Sequence, residues 1–483
     1  MSACEAAAPQ LIQGGMGVSV SSWRLARAVA SAGQLGVVSG TAIGTVLARR
    51  LQDGDPGGHL REALDAFPDR DVARRILDRY LLPAGRAPGT PYRAVPVPRQ
   101  RSAQMFLELT VAGSFAEVFL AKQGHAGQVG INLMEKIQIP TLPALYGAML
   151  AQVDWVLMGA GIPEHIPAAI ERLSHHLRSE LTLNVSGALA TERHRVAFDP
   201  GGVVRTPGAP LALPRFLAIV SSHVLASHLA RSESGRPSGF VVELPVAGGH
   251  NAPPRGRLTL SDAGEPVYGP RDAVNLEALR ELGLPFWLAG GYGSPERLRE
   301  AISQGANGIQ VGTAFALCEE SGLERELKLR ARAEALGGEL TIHTDPLASP
   351  TGYPFKVARL ARTAGDPAAQ RSRRRRCDLG YLATAYRRED GRIGYRCPAE
   401  PPADYLAKGG EPAEMEGRLC LCNGLIAAAG LAQERRGEGR ELALLTLGDD
   451  VGEVLRALSP EGAAYHAQDV VRYLLGEPLG NGC

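Results

Sequence analysis

Aromatic side chains are scarce in this chain, and neither sign of charge is in excess. Phe, Trp and Tyr together make up 5% of the 483 residues, whereas glycine alone numbers 58. Many turns joined by aliphatic packing suit an α/β protein better than an all-β sandwich. Lys and Arg number 52 against 51 Asp and Glu. That balance removes the electrostatic case for nucleic acid or an acidic membrane surface as the main partner. The run Arg371-Ser-Arg-Arg-Arg-Arg376 reads as a solvated basic turn, or as arginines pairing with carboxylates of a neighbouring subunit in a homo-oligomer. No stretch reads as apolar for the length of a membrane span. The opening Met-Ser-Ala-Cys-Glu-Ala-Ala-Ala lacks a positive region followed by an apolar core, so no secretory signal is read and a cytoplasmic location is expected. Seven cysteines, an odd count without export, argue against a disulfide framework.

Short aliphatic runs are present in number, each closed by glycine or a small polar residue. They fall at 10–13, 35–39, 128–133, 154–158, 216–220, 239–243, 285–289 and 308–311. Apolar runs bounded by turns read as strands buried on both faces, as in a parallel sheet. Helical patterns lie between most of them. One begins Ser294-Pro295, an N-cap followed by proline at the first helical position. Eight strands with intervening helices imply an α/β fold of the (β/α)8 TIM barrel type over residues 9–340. Two insertions interrupt it, a helical one at about 45–125 and a β-hairpin at 181–208. A C-terminal extension follows over 341–483, with no further barrel strand.

Two motifs carry chemistry. Gly248-Gly249-His250 follows the sixth run, and Gln310-Val311-Gly312-Thr313 closes the eighth. Paired glycines let backbone crowd against a flat or phosphorylated ligand. An imidazole placed directly after them can move a proton near neutral pH. A strand that ends in Gly-Thr before a helix offers N–H groups and a hydroxyl to a phosphate. Flavin mononucleotide (FMN) has both parts, a flat redox ring and a phosphate.

With these motifs the sequence resembles the nitronate monooxygenase (2-nitropropane dioxygenase) family of FMN-dependent barrels, which also includes flavin enoyl reductases. The likeness is loose over residues 9–135 and better over 150–320. Ile12-Gln-Gly-Gly-Met16 resembles the first strand of that family, so Gly15 and Met16 are expected at the flavin ring. Gly130-Ile-Asn132 resembles the strand whose asparagine contacts the flavin, and Ala247-Gly-Gly-His250 the motif of the active-site histidine. Ala289-Gly290-Gly291 and Gln310-Val-Gly-Thr313 resemble two phosphate-binding turns. The family commonly has a glutamine and a glutamate ahead of Gly-Gly-His. Here Glu243 and Val246 stand at those places, and Asn251-Ala-Pro-Pro-Arg255 follows. The likeness therefore implies flavin binding more firmly than it implies a substrate.

What it implies is a cytoplasmic flavin-dependent oxidoreductase that oxidises a carbanion-like nitronate with O2, His250 acting as general base. An alternative on the same scaffold is an enoyl-thioester reductase of fatty acid or polyketide synthesis using NAD(P)H, with a carrier protein as partner. A reading from another class is a flavin-free phosphate-binding barrel, an isomerase or lyase.

Four of the cysteines, Cys377, Cys397, Cys420 and Cys422, cluster within the extension. Four thiolates suffice for zinc or an iron–sulfur cluster, although the spacing matches neither paired Cys-x2-Cys nor a ferredoxin run. Reduced, buried thiols are the competing reading. The Pro-rich segment Thr344–Lys356 is expected either to connect or to fold back as a lid bringing Tyr353 or Lys356 to the flavin.

Overall fold

The computed structural model describes residues 8–205 and 208–478. The first seven residues, on which the reading of a missing signal rests, lie outside the described residues, as do residues 206–207 of the second insertion and the last five of the extension. All eight aliphatic runs are strands, with bounds within one residue of those expected: β1 Leu11–Gln13, β2 Gly36–Ser39, β3 Val129–Met134, β4 Trp155–Gly159, β5 Arg215–Val220, β6 Gly239–Glu243, β7 Phe286–Ala289 and β8 Gly308–Val311. They pair in parallel in the order β1-β8-β7-β6-β5-β4-β3-β2. A parallel bridge from Ile12 to Leu35 closes the ring, with Gln13 N–H donating to Leu35 O at 3.0 Å and Leu35 N–H to Leu11 O at 3.1 Å. The protein is a (β/α)8 barrel.

Its interior is filled by alternate strand side chains, among them Ile12, Val37, Leu157, Leu217, Val241 and Trp287. The barrel is therefore a packed core, and its chemistry is confined to the loops at the strand C-termini. Helices cover the outside. The Ser294 N-cap behaves as its position predicts, its Oγ accepting from Arg297 N–H at 3.3 Å ahead of the helix Pro295–Ser303.

Between β2 and β3 lie the helices Ile43–Gln52, His59–Ala66, Arg70–Tyr80 and Gln104–Ala121. The last corrects the reading that no segment is apolar for the length of a span. It has 18 residues and enough apolar character to cross a membrane by length and composition, yet 78% of it is buried inside the protein. The other three helices and Thr141–Leu150 cover it. Its two carboxylates are neutralised, Glu108 by Arg75 at 2.7 Å and Glu117 by Arg50 at 2.9 Å. A helix apolar on every side is here a core helix.

The second insertion pairs Ser179–Thr182 antiparallel with Arg195–Phe198, the expected hairpin begun two residues early. The extension adds no strand to the barrel and forms its own short antiparallel pairs, Thr341–Asp345 with Phe355–Arg359 and Thr384–Arg387 with Ile393–Arg396. Four arginines of the run find partners within this chain. Arg373 pairs with Glu441, and Arg374 and Arg376 share Glu438. Arg375 donates to the carbonyls of Pro398 and Met415.

Candidate active site

The C-terminal ends of the strands open into a cavity of about 260 Å³. Twelve residues singled out from the sequence line it together: Gly15 and Met16 after β1, Asn132 in β3, Gly248, Gly249 and His250 after β6, Gly290 and Gly291 after β7, and Gln310, Val311, Gly312 and Thr313 at the end of β8. Part of the wall comes from the extension, through Phe355, Tyr381, Leu382, Leu421, Leu425 and Leu444. Among the described residues no Lys or Arg lines this cavity.

The floor is built by close approach. Asn132 donates Nδ2–H to Gly15 O at 2.9 Å, and a Cβ on Gly15 would fall 2.1 Å from Asn132 Cβ. Only glycine lets the amide lie across that turn. The Oδ1 of Asn132 and the Oε1 of Gln310 are buried without a partner, a cost of about 1–3 kcal/mol each unless a ligand donates to them. Gly290 has φ +86°, and a Cβ there would meet Leu244 O at 2.9 Å. Gly291, Gly312 and Thr313 present backbone N–H groups with no acceptor among the described residues. Two orphan acceptors over a flat floor and a cluster of free N–H groups fit the ring and phosphate of a flavin. Asp450 also lines the phosphate end, its carboxyl raised above its ordinary range by burial.

The Gly-Gly-His motif serves the extension as well as the cavity. Gly249 N–H donates to Thr446 Oγ1 at 2.7 Å, and Lys356 N–H returns to Gly249 O at 2.9 Å. A Cβ on Gly248 would stand 2.9 Å from the Leu447 carbonyl carbon. The Thr313 hydroxyl, expected at a phosphate, already accepts from Gly448 N–H at 2.8 Å. The Pro-rich segment does fold back, but Phe355 is the side chain it delivers. Its ring packs edge-on against His250 at 4.8 Å. Lys356 turns away and is buried between Thr344 Oγ1 at 2.6 Å and Asp449 at 2.8 Å, while Tyr353 lines a neighbouring cavity.

His250 Nε2 is 2.7 Å from Ser349 Oγ, which lies 2.8 Å from Thr351 Oγ1. Burial pushes the imidazole down to about 4, so it is neutral at physiological pH. Glu243, the last residue of β6, shows the opposite shift, with burial pushing its carboxyl up to about 7. These shifts oppose each other in stability. A His with a folded pKa near 4, against about 6.5 unfolded, loses stability as pH falls from 6.5 to 4. A Glu with a folded pKa near 7, against about 4.3 unfolded, gains stability as pH falls from 7 to 4.3. Relative to wild type, His250→Gln should therefore become more stable on acidification from pH 6.5 and Glu243→Gln less stable. Denaturant midpoints measured from pH 4.5 to 8 check this, and parallel curves for all three proteins would contradict it.

The four extension cysteines do not form a metal site. Among the described residues no group of three or more His, Cys, Asp or Glu is arranged to hold a metal. The thiols are neighbours, free of disulfides, and a hydrogen bond between Cys377 and Cys397 lowers the first and raises the second. Burial raises Cys420 and Cys422. The expectation of zinc or an iron–sulfur cluster is corrected because no such ligand group is found among the described residues. Cys422 alone among the four faces the cavity.

No family model matches the sequence, and no curated protein matches it significantly. Solved structures do resemble it in chain path. FabK from Thermotoga maritima is 14% identical over 97% of this chain and 92% of its own, with a TM-score of 0.47. A nitroalkane oxidase from Streptomyces ansochromogenes is 15% identical over 98% and 96%, with a TM-score of 0.47. The enoyl reductase domain of MlnA, from the macrolactin biosynthesis cluster of Bacillus amyloliquefaciens, is 12% identical over 97% and 94%, at 0.49. At that identity and overlap, neither activity nor substrate transfers to this chain.

Proposed function

We propose that the protein is an FMN-dependent oxidoreductase of the nitronate monooxygenase type of barrel, working as a reductase of a neutral, conjugated carbonyl compound such as an enoyl thioester. The cavity wall carries this reading. It is apolar on the extension side, bears the carboxyls of Glu243 and Asp450, and has no Lys or Arg among the described residues. The free N–H groups of Gly291, Gly312 and Thr313 would offset a flavin phosphate, whereas a nitronate anion on the Glu243 side would lose hydration with no cation in return, a penalty on the order of several kcal/mol. A neutral enoyl compound pays no such cost and gains from the apolar roof.

Asn132 and Gln310 would hold the flavin ring through their free amide oxygens, and Gly291, Gly312 and Thr313 the phosphate. Bound there, reduced FMN would supply a hydride to the β-carbon of the substrate. His250, neutral and braced by Ser349, serves as a hydrogen-bond donor. With the Ser349 hydroxyl donating to His250 Nε2, the Nδ1–H would be left to bind the substrate carbonyl. Phe355 and the leucines of the extension exclude water from the site. Purified protein should be yellow, release FMN on denaturation, and turn over NAD(P)H repeatedly without oxygen only when a 2-enoyl thioester is present. A colourless protein that takes up no FMN would overturn the reading.

A further inference from the structure

A second cavity of about 280 Å³ adjoins the flavin pocket, and the two share Ala160, Ile219, Glu243 and His250. Glu243 ends β6 on the wall common to both. Among the described residues its side chain has no hydrogen-bond or ion-pair partner, unlike the buried carboxylates Asp55, Glu108, Glu117, Glu400 and Glu441, each of which pairs with an Arg or Lys. A carboxyl set unpaired at a strand end and open to two chambers has no structural work to do. It is placed for proton transfer, with one chamber for substrate and the other for exchange with solvent.

We infer that Glu243 is the group that delivers the proton to the α-carbon of the reduced double bond. This rests on the reductase reading above. The C=C π bond breaks as the β-carbon takes the hydride, supplied by the reduced flavin and ultimately by NAD(P)H. The Glu243 O–H bond breaks as a C–H bond forms at the α-carbon. The resulting carboxylate regains its proton from bulk solvent by way of the second cavity. His250 is a poor source for that proton, because its ring is already neutral and its Nε2 is held by Ser349.

The charged and titratable groups facing Glu243 on the flavin side are His250, Asp450, Cys422 and the phenols of Tyr292 and Tyr381. On the other side they are Arg255, Asp272, Tyr268 and Tyr353. Arg255 is turned to backbone, donating to Arg271 O and Ser221 O. Burial alone moves the Glu243 carboxyl. A group with a pKa near 7 is an efficient acid at neutral pH. Its protonated form declines as pH rises through that value, so the proton-transfer step should slow above pH 7.

The test uses the flavin-loaded protein and its Glu243→Gln and Glu243→Asp variants. In the infrared, wild type should show a protonated-carboxyl C=O band that fades with a midpoint near pH 7 and is missing from Glu243→Gln. In anaerobic stopped flow with a 2-enoyl thioester, Glu243→Gln should reduce its flavin with NAD(P)H at the wild-type rate. Its flavin should then reoxidise about a hundred- to ten-thousand-fold more slowly, with part of the rate restored in Glu243→Asp. Wild-type reoxidation by Glu243→Gln, or a band unchanged by the substitution, would overturn the assignment. A wild-type flavin that the enoyl thioester fails to reoxidise would instead bring down the reductase reading, and this proposal with it.

Discussion

Gly312→Leu is expected to purify as a folded, colourless protein. Unlike Gly290 and Gly291, Gly312 has no positive φ, and a Cβ there would meet only the Met16 side chain, with Sδ at 3.6 Å, an ordinary contact. The fold therefore tolerates a side chain at this position. The phosphate does not, because the new atoms would stand among the N–H groups of Gly312 and Thr313. Loss of those contacts should weaken FMN at least about a hundredfold, close to 2.7 kcal/mol. The ratio of flavin to protein absorbance after dialysis reads this directly, and circular dichroism confirms the fold. A fully flavin-loaded Gly312→Leu protein would move the phosphate elsewhere.

His250→Ala should be yellow, should accept electrons from NAD(P)H as wild type does, and should lose about a hundred- to ten-thousand-fold in kcat on an enoyl thioester. On the proposed reading the ring would contribute a hydrogen bond to the substrate, and it makes none to the flavin motifs at Asn132, Gln310 or Thr313. His250→Asn, which can still donate, should recover part of the rate. A base could not be replaced in this way, so an Asn variant as slow as Ala would return His250 to the role of general base. Some stability should be lost as well, since Ser349 is fully buried and gives up a partner, at about 1–3 kcal/mol.

The barrel was legible because its strands are buried on both faces, so each appears as an uninterrupted aliphatic run between turn residues. The glycine motifs were legible for a related reason: close approach of backbone leaves little choice of residue at Gly15 or Gly290. The roof was not. Phe355 meets His250 across more than a hundred residues of chain, and Thr446 reaches Gly249 across 197. Nothing local marks either contact. The four-residue spacing of Leu421 and Leu425 on one helix face was the available sign that the extension packs against something apolar. The partners of the arginine run were not legible because its carboxylates, Glu438 and Glu441, lie more than sixty residues away. The cysteines misled because ligand count is visible in sequence and arrangement in space is not. Glu243 was noticed only as a departure from a motif. Its significance comes from what surrounds it, a lack of any partner and a cavity on either side.

Anaerobic mixing of the wild-type protein tests the central claim most directly. NAD(P)H should bleach the bound flavin, and a 2-enoyl thioester added next should restore its absorbance in full, with no oxygen present. Bleaching by a nitronate alone, with NAD(P)H inert and the enoyl thioester unable to reoxidise the flavin, would contradict it.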